Sequence, residues 1–158
     1  MTVKIEHRIG IPVPPAILWE IISDVARWPE WTQIYPKAAG KIGFKEPLQL
    51  TLALPGQAPR EITPKVFDWA PDEAIHWRTP VFGGLGWAVR YLEIEAMSES
   101  GCIFSNGEIF GGFFGARRAA WLRKPLKAGY AALGEALKVR AETLWSERQA
   151  QTAPISGA

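Results

Sequence analysis

Hydrophobic and polar residues alternate along the first segment of the chain, Val3–Ile11. Residues two apart lie on the same face of a strand, and the apolar residues of this segment share one face. The pattern therefore predicts a half-buried first strand. Pro14 and Pro15 follow, and proline is tolerated in the first turn of a helix. The apolar stripe that comes next predicts a short helix over residues 14–23.

The segment Trp28–Trp31 places two tryptophans around a proline and a glutamate, directly after this short helix. A proline disfavours the helical conformation of the residue before it, so the helix has to end here. We expect one further turn of helix, with Trp31 packed inward at the end of the sheet. Trp28 is expected to cover the junction between the two short helices.

Alternation returns through the middle of the chain, most clearly in residues 48–54, where leucines occupy every second position. Further strands are predicted near residues 39–44, 61–69, 74–79, 86–96 and 102–111. Short connections that contain glycine, proline and aspartate separate these strands. Such connections indicate that neighbouring strands are antiparallel.

Leucines recur at helical spacing after residue 114, and they predict a long C-terminal helix over residues 114–148. Pro125 is expected to bend or restart this helix, because proline costs about 3 kcal/mol in a helix interior. Residues 149–158 are small and polar and are predicted to form a flexible tail. The order of elements predicts an α+β fold, with residues 1–148 as a single domain.

Length and composition fit one globular domain, since the chain has 158 residues of which 47% are hydrophobic and 22% charged. A net charge of +2 gives no indication of a nucleic-acid partner. The one cysteine and the two distant histidines predict no metal site, and no cofactor motif occurs. Neither a signal peptide nor an apolar run of membrane-spanning length is visible, so we expect a cytoplasmic protein without an integral membrane segment.

Three segments carry a resemblance to a known superfamily: the helix pair within residues 14–31, the strand Phe104–Gly112 and the helix end Gly129–Glu142. With these segments the chain resembles the START/Bet v 1-like (SRPBCC) superfamily, and within it the polyketide cyclase/dehydrase-like branch. The resemblance implies a helix-grip fold, in which a curved antiparallel sheet of six to seven strands wraps around the long helix. It also implies a cavity between sheet and helix. Members bind lipids, quinones or polyketides, close rings, sense plant hormones or assist chaperones.

Strand parity selects the polar residues that face this cavity. Arg90 shares the apolar face of its strand, and Asn106 and Glu108 share a face with Phe104 and Phe110 on the next strand. Many members of the superfamily carry histidine where Asn106 stands. Because the two strands form a hairpin, we predict that Arg90 and Glu108 form an ion pair or share a polar group of the ligand.

The first functional hypothesis is the binding of a small hydrophobic or aromatic ligand, such as a lipid, a quinone or a polyketide-like molecule. Ligand sites are mostly apolar with a few placed polar groups. Arg90, Asn106 and Glu108 are expected to orient the polar end of the ligand. The predicted apolar lining is Leu50, Leu52, Trp77, Phe104, Phe110 and Trp31.

The second hypothesis is an enzyme of the cyclase/dehydrase type with Glu108 as acid or base, for which His7 and Tyr91 are the other candidates. A raised pKa of Glu108 would support it, whereas pairing with Arg90 would lower that pKa. The third hypothesis is a protein-interaction module of the chaperone-activator type that uses exposed tryptophans within residues 28–31. A homodimer is a further possibility, with Trp121 and Trp145 at its interface.

Overall fold

The computed structural model describes residues 2–43 and 45–152. Over these residues the chain forms eight strands and two α-helices, with two short 3-10 helices at Val25–Glu30 and Phe82–Gly84. The elements are β1 (Val3–Ile11), α1 (Pro15–Ser23), β2 (Lys37–Ala39), β3 (Gln49–Leu52), β4 (Arg60–Ile62), β5 (Lys65–Ala70), β6 (Ala74–Val81), β7 (Gly86–Ser98), β8 (Gly101–Gly112) and α2 (Gly115–Thr152).

The strands lie in two antiparallel sheets. The larger sheet has the order β1-β8-β7-β6-β5, and the smaller sheet has the order β2-β3-β4. An isolated bridge between Pro47 and Lys65 joins the start of β3 to the start of β5. Helix α2 packs against β1 and β8 of the larger sheet. The predicted α+β class and the helix-grip arrangement are confirmed.

The structure differs from the predicted elements in three places. The predicted strand over 61–69 is divided into β4 and β5 by Thr63 and Pro64, so the strands form two sheets instead of one. The strand predicted near 39–44 is the short β2, and Phe44 lies outside the described residues. Helix α2 runs through Pro125 without restarting and ends at Thr152. Residues 153–158 of the predicted tail lie outside the described residues.

Of the two tryptophans in the segment Trp28–Trp31, Trp28 packs into the core, where Trp31 was expected. Trp28 is 1% exposed, and its indole nitrogen donates to the carbonyl of Ile22 at 3.1 Å. Its ring packs against Tyr35 and Trp77, with centroid distances of 5.1 and 6.1 Å. Trp31 is only half-buried, in a groove between α1 and α2. The carbonyl at the end of α1 satisfies the Trp28 donor and thereby holds that indole in the core.

Two glycines of α2 set the distance between the helix and its neighbours. A Cβ atom at Gly134 would lie 2.9 Å from His7 Nδ1 on β1, and a Cβ atom at Gly129 would lie 2.8 Å from Leu54 Cδ2. Both distances are shorter than an ordinary carbon contact, so the close approach of α2 depends on glycine. Within the described ranges, no helix is both long and apolar enough to cross a membrane.

Candidate functional site

A pocket of about 320 Å³ lies between the two sheets and α2. Residues of β3, β4, β6, β7, β8 and α2 form its walls. Its deep part is lined by buried side chains, among them Tyr35, Trp77, Arg90 and Tyr130. Arg60 on β4 also lines the pocket and is exposed, so the mouth of the pocket lies on the side of β4.

Arg90 is the buried cation of this pocket, with 3% of its surface exposed. Its Nε donates to the hydroxyl of Tyr35 at 3.3 Å, and its Nη2 donates to Asn106 Oδ1 at 3.0 Å. Its Nη1 donates to the carbonyls of Tyr91 and Gly107 at 2.9 and 3.0 Å. A buried guanidinium is stable only when its donors are satisfied. These four bonds therefore hold Arg90 in one orientation.

Strand pairing places Arg90 directly opposite Glu108, as the sequence predicts. The predicted direct ion pair is nevertheless absent, since within the part of the chain that the structure describes no Arg90 nitrogen lies within 4.0 Å of a Glu108 oxygen. Tyr130 of α2 contacts both residues instead. Its hydroxyl donates to Glu108 Oε1, and its ring lies under the guanidinium of Arg90. The helix thus supplies the group that links the two charged residues.

Burial raises the pKa of Glu108, because the surroundings disfavour its charged form. The hydrogen bond from Tyr130 and the charges of Arg90, Arg60 and Arg118 act in the opposite direction and only partly offset the effect of burial. The pairing with Arg90 that would have kept this pKa low is not made. Glu108 is therefore a carboxyl group that keeps its proton to a higher pH than an exposed glutamate.

Two arginines, Arg60 of β4 and Arg118 of α2, line the pocket beside Glu108. Arg118 is half-buried and lies over the Phe82 ring, with its guanidinium carbon 5.8 Å from the centroid. Burial lowers the pKa of Arg118, and the charge of Arg60 adds to that lowering. The two cations therefore repel each other at this end of the pocket.

The structure brings together some of the predicted ligand residues and separates others. Arg90, Glu108, Trp77 and Leu52 line the pocket. The remaining predicted residues lie elsewhere, with Leu50, Phe104, Phe110 and Asn106 in the packed interior and Trp31 in the groove between α1 and α2. Asn106 still acts on the pocket indirectly, because it joins Arg90 to the carbonyl of Tyr130 through Nδ2 at 3.1 Å.

Of the three candidate bases, Glu108 alone lines the pocket. Tyr91 points to the opposite face of the sheet, where its hydroxyl donates to Glu6 at 2.6 Å, and burial raises its pKa. His7 faces α2, and no hydrogen-bond partner for its buried Nδ1 lies within the described residues. His76 lies between Glu93 at 2.9 Å and Asp68 at 3.5 Å. These partners come from neighbouring strands, so sequence spacing does not reveal them.

The surface aromatic residues differ from those of the interaction hypothesis. Trp28 is buried and Trp31 half-buried, so residues 28–31 do not present two exposed tryptophans. Trp145 packs against the core, whereas Trp121 is 77% exposed. The premise of the interaction hypothesis at residues 28–31 is therefore wrong.

Sequence reasoning missed Tyr35, Arg60, Arg118 and Tyr130 as pocket residues. Tyr130 carried a signal, because it lies on the apolar stripe of α2 with Leu126, Leu133 and Leu137. A polar aromatic residue on such a stripe needs a partner for its hydroxyl. Tyr35 and Arg60 lie on a loop and on a three-residue strand, which have no periodicity to predict where they point.

The sequence model of a family described as "Polyketide cyclase / dehydrase and lipid transport" matches residues 2–142. No curated protein matches the chain. The Zhui aromatase/cyclase of a Streptomyces species aligns over 100% of both chains, with 15% identity and a TM-score of 0.69. A START superfamily protein from Mycobacterium smegmatis aligns over 89% of this chain and 98% of its own, with 13% identity and a TM-score of 0.70.

Norcoclaurine synthase from Thalictrum flavum, solved with dopamine and hydroxybenzaldehyde, is a third similar structure. The alignment covers 90% of this chain and 88% of that chain, with 14% identity and a TM-score of 0.67. At these identities, the solved structures show that the fold is shared and nothing more about this chain.

Proposed function

Because the chain belongs to the family of polyketide cyclases, dehydrases and lipid-transport proteins, we propose that its pocket binds a small hydrophobic or aromatic ligand. The observation that carries the proposal is the pocket of about 320 Å³ between the sheets and α2. Its volume is at the lower end of the range of small-molecule sites. A cyclase of the same fold and a synthase solved with two phenolic compounds are consistent with an aromatic ligand.

The chemistry of the walls supports an aromatic ligand in particular. Trp77 and Tyr130 are aromatic residues of the lining, and Leu52, Val81 and Ala88 add apolar side chains. Aromatic pairs gain about 0.5–1.5 kcal/mol beyond the burial of their area. Arg90 and Glu108 add polar groups to these walls.

The proposal is tested with N-phenyl-1-naphthylamine, an uncharged aromatic probe that fluoresces in apolar surroundings. Ala88 lies on β7 and faces the pocket, so Ala88→Leu fills part of the volume. We expect the variant to bind the probe about tenfold more weakly than the wild type. Ala96→Leu is the matched control, because Ala96 lies on the same strand outside the pocket and is exposed.

Equal binding by wild type and Ala88→Leu, or no binding by either protein, would overturn the proposal. Native mass spectrometry of the purified protein provides an independent measurement, since a co-purified hydrophobic molecule should disappear in Ala88→Leu and remain in Ala96→Leu.

Catalysis is the second candidate function, and the raised pKa of Glu108 favours it. A carboxyl group whose pKa lies closer to neutrality is better suited to proton transfer at a carbon next to a carbonyl. The test is the exchange of the α-protons of 2-tetralone in D2O, followed by NMR. We expect the wild type to accelerate the exchange, Glu108→Gln to lose the acceleration, and the exposed control Glu95→Gln to retain it.

The cytoplasmic location, the homodimer and the absence of a nucleic-acid partner stay predictions from the sequence. Size-exclusion chromatography with light scattering tests the homodimer by measuring the molar mass in solution. The wild type is compared with the variant Trp121→Ser in the same measurement. Trp121 is the exposed member of the two tryptophans assigned to that interface.

A further inference from the structure

The charge of the pocket is unbalanced. Four arginines and one glutamate line it. Within the described ranges, no Asp or Glu oxygen lies within 4.0 Å of a guanidinium nitrogen of Arg60 or Arg118. Other arginines of the chain do have such partners, for example Arg140 with Glu30 at 3.2 Å and Arg148 with Glu20 at 2.6 Å.

The one carboxyl group of the pocket cannot balance four guanidinium groups. Glu108 accepts the hydrogen bond of Tyr130, and within the described residues none of its oxygens lies within 4.0 Å of an arginine nitrogen. Arg118 is half-buried next to Arg60, where a second cation makes its charge costly. Such an arrangement is stabilised when an anion lies between the two guanidinium groups.

Arg90 is not the residue that would hold this anion. Its nitrogens already donate to Tyr35, Asn106 and two backbone carbonyls, so its donors are directed into the protein. An anion at Arg90 would also lie fully within the buried end of the pocket. Arg78 lies over the ring of Trp87, with its guanidinium carbon 5.1 Å from the centroid. Arg60 and Arg118 are the two remaining arginines of the pocket, and the buried apolar residues Leu52, Val81 and Ala88 line the same pocket.

We propose that the ligand is an aromatic molecule with one oxyanion substituent, which Arg60 and Arg118 bind while the ring lies against the apolar side chains of Leu52, Val81 and Ala88. The inference rests on the proposed function, because it names the class of ligand for the same pocket. The anion is the group that fixes the orientation of the ligand, with its ring end pointing toward Glu108 and Arg90.

Two matched fluorescent probes test the proposal. 1-Anilinonaphthalene-8-sulfonate carries one anionic group, and N-phenyl-1-naphthylamine has the same rings without it. We expect the sulfonate to bind the wild type about tenfold more tightly than the neutral probe, since only the sulfonate can accept charge-assisted hydrogen bonds from Arg60 and Arg118. Raising the salt concentration should weaken the binding of the sulfonate and leave that of the neutral probe unchanged.

The variants Arg60→Gln and Arg118→Gln locate the anion. Each should weaken the sulfonate about fivefold to tenfold and change the affinity of the neutral probe by less than about twofold. Arg117→Gln is the matched control, because Arg117 is the exposed neighbour of Arg118 on α2 and does not line the pocket. It removes the same net charge, so an effect of overall charge would appear in all three variants.

Competition against the bound sulfonate then separates the sources of the oxyanion. 2-Naphthoate and 2-naphthyl phosphate present a carboxylate and a phosphate on the same ring system. Displacement by either one supports the proposal, and the stronger competitor identifies the anion. If neither displaces the sulfonate, the proposal is overturned.

Different results overturn the anion site and the aromatic pocket. If the neutral probe binds and the sulfonate binds no more tightly, the anion site is wrong and the aromatic pocket stands. If neither probe binds in a way that Ala88→Leu blocks, the proposed function is wrong and the anion site with it. An equal loss of sulfonate binding in Arg117→Gln and Arg118→Gln also overturns the anion site.

Discussion

Arg90 lies over the face of Tyr130, with its guanidinium carbon 4.3 Å from the ring centroid. The same tyrosine donates its hydroxyl hydrogen bond to Glu108. One side chain of α2 therefore stabilises the cation through its ring and the carboxyl group through its hydroxyl. The strands place Arg90 and Glu108 opposite each other, and the helix determines how they interact.

Tyr130→Phe keeps the ring under Arg90 and removes only the hydrogen bond to Glu108. Because that bond lowers the pKa of Glu108, its loss should raise the pKa further. We also expect the free energy of unfolding to fall by about 1–2 kcal/mol. Carbon-13 NMR titration of the glutamate carboxyl groups measures the first effect, and urea unfolding measures the second.

Tyr91→Phe is the control for this change. It removes a hydroxyl that donates to Glu6 on the opposite face of the sheet. The pKa of Glu108 should stay as in the wild type. An unchanged Glu108 pKa in Tyr130→Phe would show that this hydrogen bond does not influence the carboxyl group.

Glu108→Gln should change how stability depends on pH. The pKa of Glu108 is raised in the folded protein above its ordinary value of 4.5, so the folded state holds the proton more tightly than the unfolded chain does. Its contribution to stability is fully present below that ordinary value and is lost as pH rises through the folded pKa. The variant should therefore become more stable relative to the wild type between about pH 4 and about pH 7.

Urea unfolding of both proteins at the two ends of this pH window measures the difference. Glu95→Gln is the control, because Glu95 is exposed and forms a surface ion pair with Arg8 at 3.1 Å. A difference between Glu108→Gln and wild type that is the same at both pH values would contradict a raised pKa.

Arg90→Met should be strongly destabilising, although methionine fills much of the same volume. It leaves the carbonyls of Tyr91 and Gly107 and the Oδ1 of Asn106 without their donor from Arg90. Each buried group that loses its partner costs about 1–3 kcal/mol, so we expect a loss of about 3 kcal/mol or more.

The comparison for Arg90→Met is Arg8→Met on β1. Arg8 is exposed and pairs with Glu95, and exposed pairs are worth about 0–1 kcal/mol. Chemical denaturation of both variants distinguishes the two positions. If both variants lose the same stability, the hydrogen bonds of Arg90 do not hold the site.

The sequence predicts the direction of these side chains better than their contacts. Period-two alternation is sufficient to place Arg90 and Glu108 on inward faces, and the hairpin between β7 and β8 makes them neighbours. Whether they form an ion pair depends on a third side chain, Tyr130, which is supplied by a helix distant in sequence. Parity within a strand contains no information about that helix.

The pocket mouth is the part of the site that could not be predicted. It depends on the break at Thr63 and Pro64 that separates β4 from β5 and turns Arg60 toward α2. A proline in a predicted strand is a signal of an edge or an interruption. It gives no direction for the strands on either side of it, so the meeting of Arg60 with Arg118 could not be predicted.

Gly107→Ala tests the packing between β8 and its two neighbours. A Cβ atom at Gly107 would collide with the backbone carbonyl oxygen of Ile5 and lie 2.5 Å from the Tyr91 hydroxyl. The backbone of β1 cannot move away without breaking its pairing with β8. We expect the variant to lose about 3 kcal/mol of stability, at the upper end of the cost of overpacking.

Gly10→Ala is the matched control for this change, because Gly10 lies on the adjacent strand β1 and a Cβ atom there would meet nothing within 4 Å. Alanine reduces the freedom of the unfolded chain, so this variant should be neutral or more stable by about 0.5 kcal/mol. Thermal and urea unfolding of both variants give the comparison. Equal stability of the two variants would mean that β1 and β8 are not as closely packed at Gly107 as the register requires. In a Tyr91→Ala background the hydroxyl contact is gone, so the loss that Gly107→Ala causes relative to Tyr91→Ala alone measures the collision with the Ile5 carbonyl.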